Sequence, residues 1–334
     1  MKVRCRKKRS GPSRPTSRHG AKNKSTQKGA CNTGALSSTW ASLHSKKRFV
    51  MTGISRRSFA QAVSLALAGG MPLWAQADLE KIRAGGVLKV AVYKDFAPFS
   101  HGSASAPAGI EVALAAALAR EMNLKLALLP FDAGENMADD LRNMVWRGHY
   151  LGYGPAHVML HVPVDRNFII SNRQSLIFAP YYREKLVFTH DKKLVPQLEK
   201  IDDLKGLPLG VERGTAAASA LLGASGGQLR DKVSILNSPS EAMAALFAGK
   251  VAAVLATQAQ IESELHSAQK ASADYPITAL QLNGLPPNGW PVGMAVKAEE
   301  TDLAKALEAA LASLNTQGEL KKIFAQSGVS LGTV

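Results

Sequence analysis

Residues Gly152–Asp191 read GYGPAHVMLHVPVDRNFIISNRQSLIFAPYYREKLVFTHD, and this stretch decides the fold. It opens on turn residues and an apolar run, VMLHVPV, that fits a buried strand. It passes Arg166 and Arg173 and ends in an extended segment, Tyr181–Thr189. Strands and helices alternate before it, and a second alternating pattern begins after it. The stretch reads as the crossover from one α/β lobe to another, supplying a hinge and the floor of a cleft.

Upstream, Leu79–Ala84 reads as a short helix stopped by Gly85-Gly86. Val87–Val92 is a β-branched apolar strand. Ile110–Met122 is an alanine-rich helix, Leu124–Leu129 a second strand and Met137–Trp146 a second helix. Downstream, strands are expected at Leu207–Val211, Val233–Leu236 and Val251–Leu255. Helices are expected at Ala216–Leu222, Glu241–Ala248 and Ile261–Ala268. The turn-rich NGLPPNGW leads into a strand at Pro291–Val296, which returns to the first lobe. Helices at Thr301–Leu314 and Gly318–Gln326 close the chain. This order predicts helices on the faces of mainly parallel sheets. Residues 78–187 with 291–334 form lobe 1, residues 188–290 form lobe 2, and two strands join them.

The net charge of +15 is misleading. Residues 1–77 hold 16 of the 41 Lys and Arg and none of the 26 Asp and Glu. The remainder carries 25 basic against 26 acidic residues and presents no basic face for nucleic acid. Residues 1–50 have a composition that cannot bury a core, and Met51 is the expected start. Residues 51–77 read as a signal peptide. Arg56 and Arg57 precede an apolar run, and Ala75-Gln76-Ala77 supplies small residues at a cleavage position. Ser-Arg-Arg-Ser-Phe resembles the twin-arginine export motif. The mature protein is expected near Asp78 and in the periplasm. Both cysteines, Cys5 and Cys31, precede that point, so the mature chain has no disulfide, thiolate site or cysteine nucleophile.

Ligands of open α/β sheets bind beyond the carboxyl ends of strands. Phe96 and Phe99, on the loop after the first strand, read equally as ligand walls or core. Gly214 permits close backbone approach and Thr215 caps a helix, so their N–H groups suit a carboxylate. His149, His157 and His161 raise a metal question. No carboxylate or further histidine stands at tight ligand spacing, and hydrogen bonding is the favoured reading. No cofactor and no metal site are expected.

The mature chain resembles the bacterial family 3 extracellular solute-binding proteins over nearly its whole length. VLKVAVYKDFAPF is similar to their first strand and aromatic loop, and GIEVALAAALAREM to their first helix. FAPYYREKLVF resembles their hinge segment. LKGLPLGVERGTAAASALL resembles their second-lobe strand, Gly-Thr turn and helix. The C-terminal DLAKALEAALASLNTQGELKKIFAQSGV is similar to their closing helices. The resemblance implies the two-lobed, periplasmic binding protein-like (type II) fold, which does not by itself fix function. It implies a carboxylate clamp at Arg173 or Arg166 with Gly214 and Thr215, and cleft walls at Phe96, Phe99 and Tyr181. The family's amine-binding Asp is replaced by Ala256-Thr257-Gln258, leaving Thr257 at that place and an ammonium poorly paired.

Three functions follow from the resemblance. The first is capture of a small polar or anionic solute by hinge closure, with delivery to the membrane permease of an ABC importer. The second follows from the lengthened GHYLGYGPAHVMLHVPVD region. It resembles the J-type sub-branch, whose partner is a periplasmic quinoprotein (PQQ-dependent) methanol or alcohol dehydrogenase; the aromatic Tyr150, Tyr153, Tyr181, Tyr182 and Trp290 would suit a wide contact surface. The third, placed last, is a periplasmic dehydratase using Glu111, Glu212 or Asp95 as acid or base. The chain is otherwise expected not to be an enzyme.

Overall fold

Alternating apolar residues with β-branched neighbours build two five-stranded sheets, and Ala- and Leu-rich helices cover them. The computed structural model describes residues 73–103 and 105–332, with side chains from Asp78 onward. The basic segment, the paired arginines and the apolar run as far as Pro72 lie outside the described residues.

The first sheet comprises β1 (Val87–Tyr93), β4 (Lys125–Phe131), β5 (Val158–Pro163), β6 (Ser175–Glu184) and β12 (Trp290–Lys297), in the order β4-β1-β5-β12-β6. Between β1 and β4 the chain forms a small hairpin, β2 (His101–Ser103) with β3 (Ala106–Ala108), and the helix α2 (Ile110–Glu121). The second sheet comprises β7 (Leu186–His190), β8 (Leu209–Glu212), β9 (Val233–Leu236), β10 (Ala253–Thr257) and β11 (Ile277–Thr278), in the order β11-β7-β10-β8-β9. In each sheet four strands share one direction and one runs against them. The reversed strands are β12 and β7, each the first strand the chain makes on arriving from the other sheet. A strand arriving from the gap points away from it, whereas its neighbours end there. The fold is therefore mixed α/β, with two sheets flanked by helices and a two-strand connection.

The first crossing is a single residue, Lys185, between β6 and β7; the second runs from β11 to β12. Trp290 pairs with Glu184, and Thr257 pairs with Leu186. These pairings bring the carboxyl ends of β5, β6, β8 and β10 to the side where the chain crosses.

Helices cover both faces of each sheet. On the first sheet, α1 (Leu73–Gly85), α2, α8 (Thr301–Thr316) and α9 (Glu319–Gln326) bury Leu114, Leu118, Leu307, Leu314 and Phe324 against Leu88, Val90 and Val296. On the opposite face, Leu141 and Met144 pack on Ala91, Met159 and Ala295. The expected helix Met137–Trp146 divides into α3 (Met137–Leu141) and a π-turn, Arg142–Trp146. Such a widened turn fits one extra residue into a helix without ending it. A short helix, α4 (Arg166–Ser171), follows β5. On the second sheet α5 (Ala216–Gly223), α6 (Pro239–Phe247) and α7 (Gln258–Ser267) enclose Leu209, Val211, Val254 and Leu255.

Gly289 is a point where only glycine fits. Its φ is +66°, and a Cβ there meets the carbonyl oxygen of Glu184 and the Lys185 side chain. Gly289→Ala must therefore push the two crossings apart. An expected loss of about 2–4 kcal/mol, read as a lower urea midpoint at unchanged slope, follows from strain at an αL position plus the clash.

Candidate functional site

The carboxyl end of β1 is pinned before it enters the loop that follows. Tyr93 Oη donates to Asp140 Oδ2 at 2.8 Å, and Asp140 Oδ1 accepts from Gly134 N at 2.8 Å. Burial, with Asp140 alongside, pushes the Tyr93 phenol far up, so it stays a donor. The loop then folds tightly: Phe96 N donates to Ser100 O and Phe99 N to Phe96 O. The first N–H groups of α2 dock on it, Ile110 N to Pro98 O and Glu111 N to Phe99 O. This fixes the Phe96 ring at the edge of the first sheet.

Facing that loop, the gap holds a cavity of about 250 Å³. Asp95, Phe96, Pro98 and His101 line it from the first sheet. Glu212, at the end of β8, Ser238–Ser240 at the start of α6, and Gln260, Ser263 and Glu264 of α7 line it from the second. Three carboxylates and no Lys or Arg stand in this lining. Ser240 Oγ is bonded to Glu264. Burial raises the Glu212 carboxyl above its ordinary value, with no cation to offset it.

Of the residues expected to hold a ligand, Phe96 reaches this cavity. Phe99 and Tyr181 are buried and do not line it. Thr257 lies at the gap end of β10, where its Oγ accepts from Gln260 N and caps α7, while Gln260 Oε1 accepts from Thr257 N. Gly214 (φ +74°) and Thr215 form the turn after β8; Thr215 Oγ accepts from Ala218 N and donates to Glu212 O. Arg166 is the first residue of α4, exposed, just past the gap end of β5. Arg173 is exposed and donates from Nε to Ile170 O; it precedes Ser175, the end of β6 remote from the crossing. That end lies about 30 Å along the strand from Glu184. The structure thus groups Phe96 with Asp95, Glu212 and Glu264, and leaves the two arginines outside this cavity.

A cluster that sequence reasoning did not assemble lies under Phe96. His161 Nδ1 donates to Glu111 Oε1 at 2.7 Å, and Nε2 faces Glu184 Oε2 at 3.4 Å. Tyr181 Oη donates to Glu111 Oε1 and accepts from His161 N. All four side chains are buried. Burial alone pushes the His161 imidazole down; Glu111 and then Glu184 outweigh it and hold the value at about 10. A carboxylate oxygen stands at each ring nitrogen, the arrangement that favours the imidazolium. The signal was present in sequence: a histidine in the apolar VMLHVPV and a glutamate in the apolar GIEVAL each need a partner when buried. Among the described residues, no group of three or more His, Cys, Asp and Glu side chains is placed to hold a metal ion. His157 Nδ1 accepts from Lys89 N instead. His149 stacks on Tyr153 with centroids 4.2 Å apart, in a loop that leaves Tyr150 exposed.

No protein-family profile matches the sequence, and no curated protein matches it. Solved structures do match. An ancestral cationic amino acid solute-binding protein superposes with a TM-score of 0.59 at 17% identity, over 75% of this chain and 98% of that one. An amino acid ABC transporter substrate-binding protein from Streptococcus pneumoniae, bound to L-arginine, gives 0.53 at 21%, over 77% and 99%. A histidine kinase sensor domain with similarity to periplasmic binding proteins gives 0.51 at 16%, over 74% and 98%. With two sheets, two crossings and a gap facing the strand ends, the chain has the two-lobed fold of the periplasmic binding proteins.

Proposed function

We propose that this chain is an exported solute-binding protein that closes about its two crossings on a small polar solute carrying a cationic group. The observation that carries this reading is the cavity between the sheets, with Asp95, Glu212 and Glu264 on its wall and no Lys or Arg in its lining. An anion placed there meets three carboxylates. An ammonium or guanidinium meets opposite charge in a half-buried setting, with the Phe96 ring on the same wall.

The residues at Ala256-Thr257-Gln258 supply no carboxylate for an amine. Glu212, one strand away on β8, offers one instead, so an amine-bearing solute is again compatible with the cleft. The turn at Gly214–Thr215, beside Glu212, is suited to a solute carboxylate. An amino acid with a cationic side chain unites the two demands, and two of the structural neighbours are described in those terms. Delivery to the permease of an ABC importer is the role this reading implies.

The test is thermal shift of the purified protein with L-arginine, L-lysine, putrescine, citrate and succinate. Ligand at 100 times its Kd stabilises the bound form by about 2.7 kcal/mol. For a chain of this size that is a rise of roughly 5–10 °C. The rise is expected with arginine or lysine. A rise with citrate or succinate alone overturns the cationic reading, and no rise with any compound overturns solute binding by this cleft.

A further inference from the structure

His161, Glu111 and Glu184 do not line the cleft cavity and take no part in the binding described above, yet three observations tie them to the hinge. Glu184 is the last residue of β6, immediately before the single-residue crossing at Lys185, and it pairs with Trp290, the first residue of the returning strand. Gly289 sits against its carbonyl oxygen. The two crossings therefore meet at Glu184, whose carboxylate points back to His161.

The backbone is bent to make this contact. His161 has φ +60° inside β5, and Ala179 has φ +48° inside β6. The register of β12 slips against β5 between Gly293 and Ala295, and against β6 between Val292 and Met294. Two bulges thus flank β12 at one level. They turn His161 toward Glu111 and leave its N–H to Tyr181 Oη. Positive φ at a non-glycine residue in a strand is costly and persists where the surroundings impose it.

The cluster is also not the cheapest way to fill a core. Glu111 Oε2 and Glu184 Oε1 are buried with no hydrogen-bond partner among the described residues. Apolar residues of similar volume often stabilise more than a buried ionic group does. Its two arms are unequal, 2.7 Å to Glu111 in the body of the first lobe and 3.4 Å to Glu184 at the crossing. On its faces, His161 meets Phe96 and Phe99 edge-on, with centroids 4.6 and 4.5 Å away.

We infer that His161 is a positioning residue that joins the cleft wall to the pivot. Its tight arm anchors it to α2, its looser arm holds the end of the hinge strand, and its ring sets the Phe96 wall. The purpose of this coupling rests on the solute-binding reading; the coupling itself does not need a ligand.

The test is amide hydrogen exchange of the full, ligand-free chain and of Glu184→Gln and His161→Gln, followed at Lys185, Leu186 and Trp290 and, as reference, along β1. Loss of the charge-assisted arm in Glu184→Gln is expected to speed exchange at the crossings at least about tenfold, with β1 unchanged. His161→Gln is expected to do the same. Equal exchange in variant and parent, or an equal acceleration in β1, overturns the inference. Because exchange is read without ligand, failure of L-arginine to bind sinks the cleft reading and leaves this result to be judged alone.

Discussion

His161→Ala is expected to lose about 3–5 kcal/mol of folding stability, because it strands two buried carboxylates without their common cation. In a chain of this size the melting temperature should fall by roughly 10 °C or more. Glu111 and Glu184 are each 5% exposed or less, so water does not replace the lost partner. His161→Gln, which keeps a polar contact but no charge, should fall between.

The same cluster predicts an alkaline loss of stability. Burial alone lowers the His161 imidazole, but Glu111 and Glu184 raise it from 6.5 to about 10. A folded value above the unfolded one stabilises fully below pH 6.5, and that stabilisation is lost as the pH climbs toward 10. The charged and titratable groups facing the ring are Glu111 on α2 and Glu184 and Tyr181 on β6. Tyr181, Tyr93 and Tyr182 are all raised above their ordinary values and so titrate above this window. Glu300, raised by burial to about 7, acts below it. Between pH 7.5 and 9.5, one proton corresponds to about 1.4 kcal/mol per pH unit at most. Melting of the parent protein should therefore fall by roughly 5–10 °C across that range, and that of His161→Gln should stay nearly level. Parallel curves for the two proteins would falsify the assignment of the charge to His161.

The sheets were legible because period and length agree in them. Val87–Val92 and Pro291–Val296 are apolar over the span of a strand, and the observed β1 and β12 extend each by one residue or two. The hinge was legible because the extended run from Tyr181 has no helix period. Its limits were not: β6 starts at Ser175, where side-chain alternation is weak, and one residue, Lys185, divides it from β7. The hairpin His101–Ala108 escaped notice because its residues are small and have little strand preference.

The site was less legible, because its geometry depends on bulges that composition does not announce. Phe99 and Tyr181 have the residue types of a cleft wall, but a tight turn and an off-register strand bury both. The spacing of His157 and His161 raised a metal question, with hydrogen bonding as the favoured reading, and both rings do make hydrogen bonds. A strand without the bulge puts both on one face; φ +60° at His161 breaks that rule. Glu111 sits fifty residues from His161 in sequence, and nothing local signals the pairing. Glu212 shows the reverse. It precedes a recognisable Gly-Thr turn, yet its weight appears only when Asp95 and Glu264 are found across the cavity.

Glu212→Gln should then weaken L-arginine binding by about 10- to 100-fold, the range for removing one charge-assisted contact. The same change should leave the ligand-free protein as stable or more so. Burial raises the Glu212 carboxyl, so its charged form is held at a cost in the empty cleft. A folded value above the unfolded one stabilises in acid, and that contribution is lost as pH rises through the folded value; at neutral pH the amide therefore relieves a penalty. Opposite signs in affinity and stability are the mark of a residue kept for binding. Lowering the pH toward the raised value should weaken arginine binding to the parent and leave Glu212→Gln flat. Arg166→Ala separates the two ends of the solute: a loss there as well places its carboxylate near α4, and no loss leaves the Gly214–Thr215 turn to hold it. Unchanged arginine affinity in Glu212→Gln, measured by calorimetry on a folded variant, ends the case for a cation in this cleft.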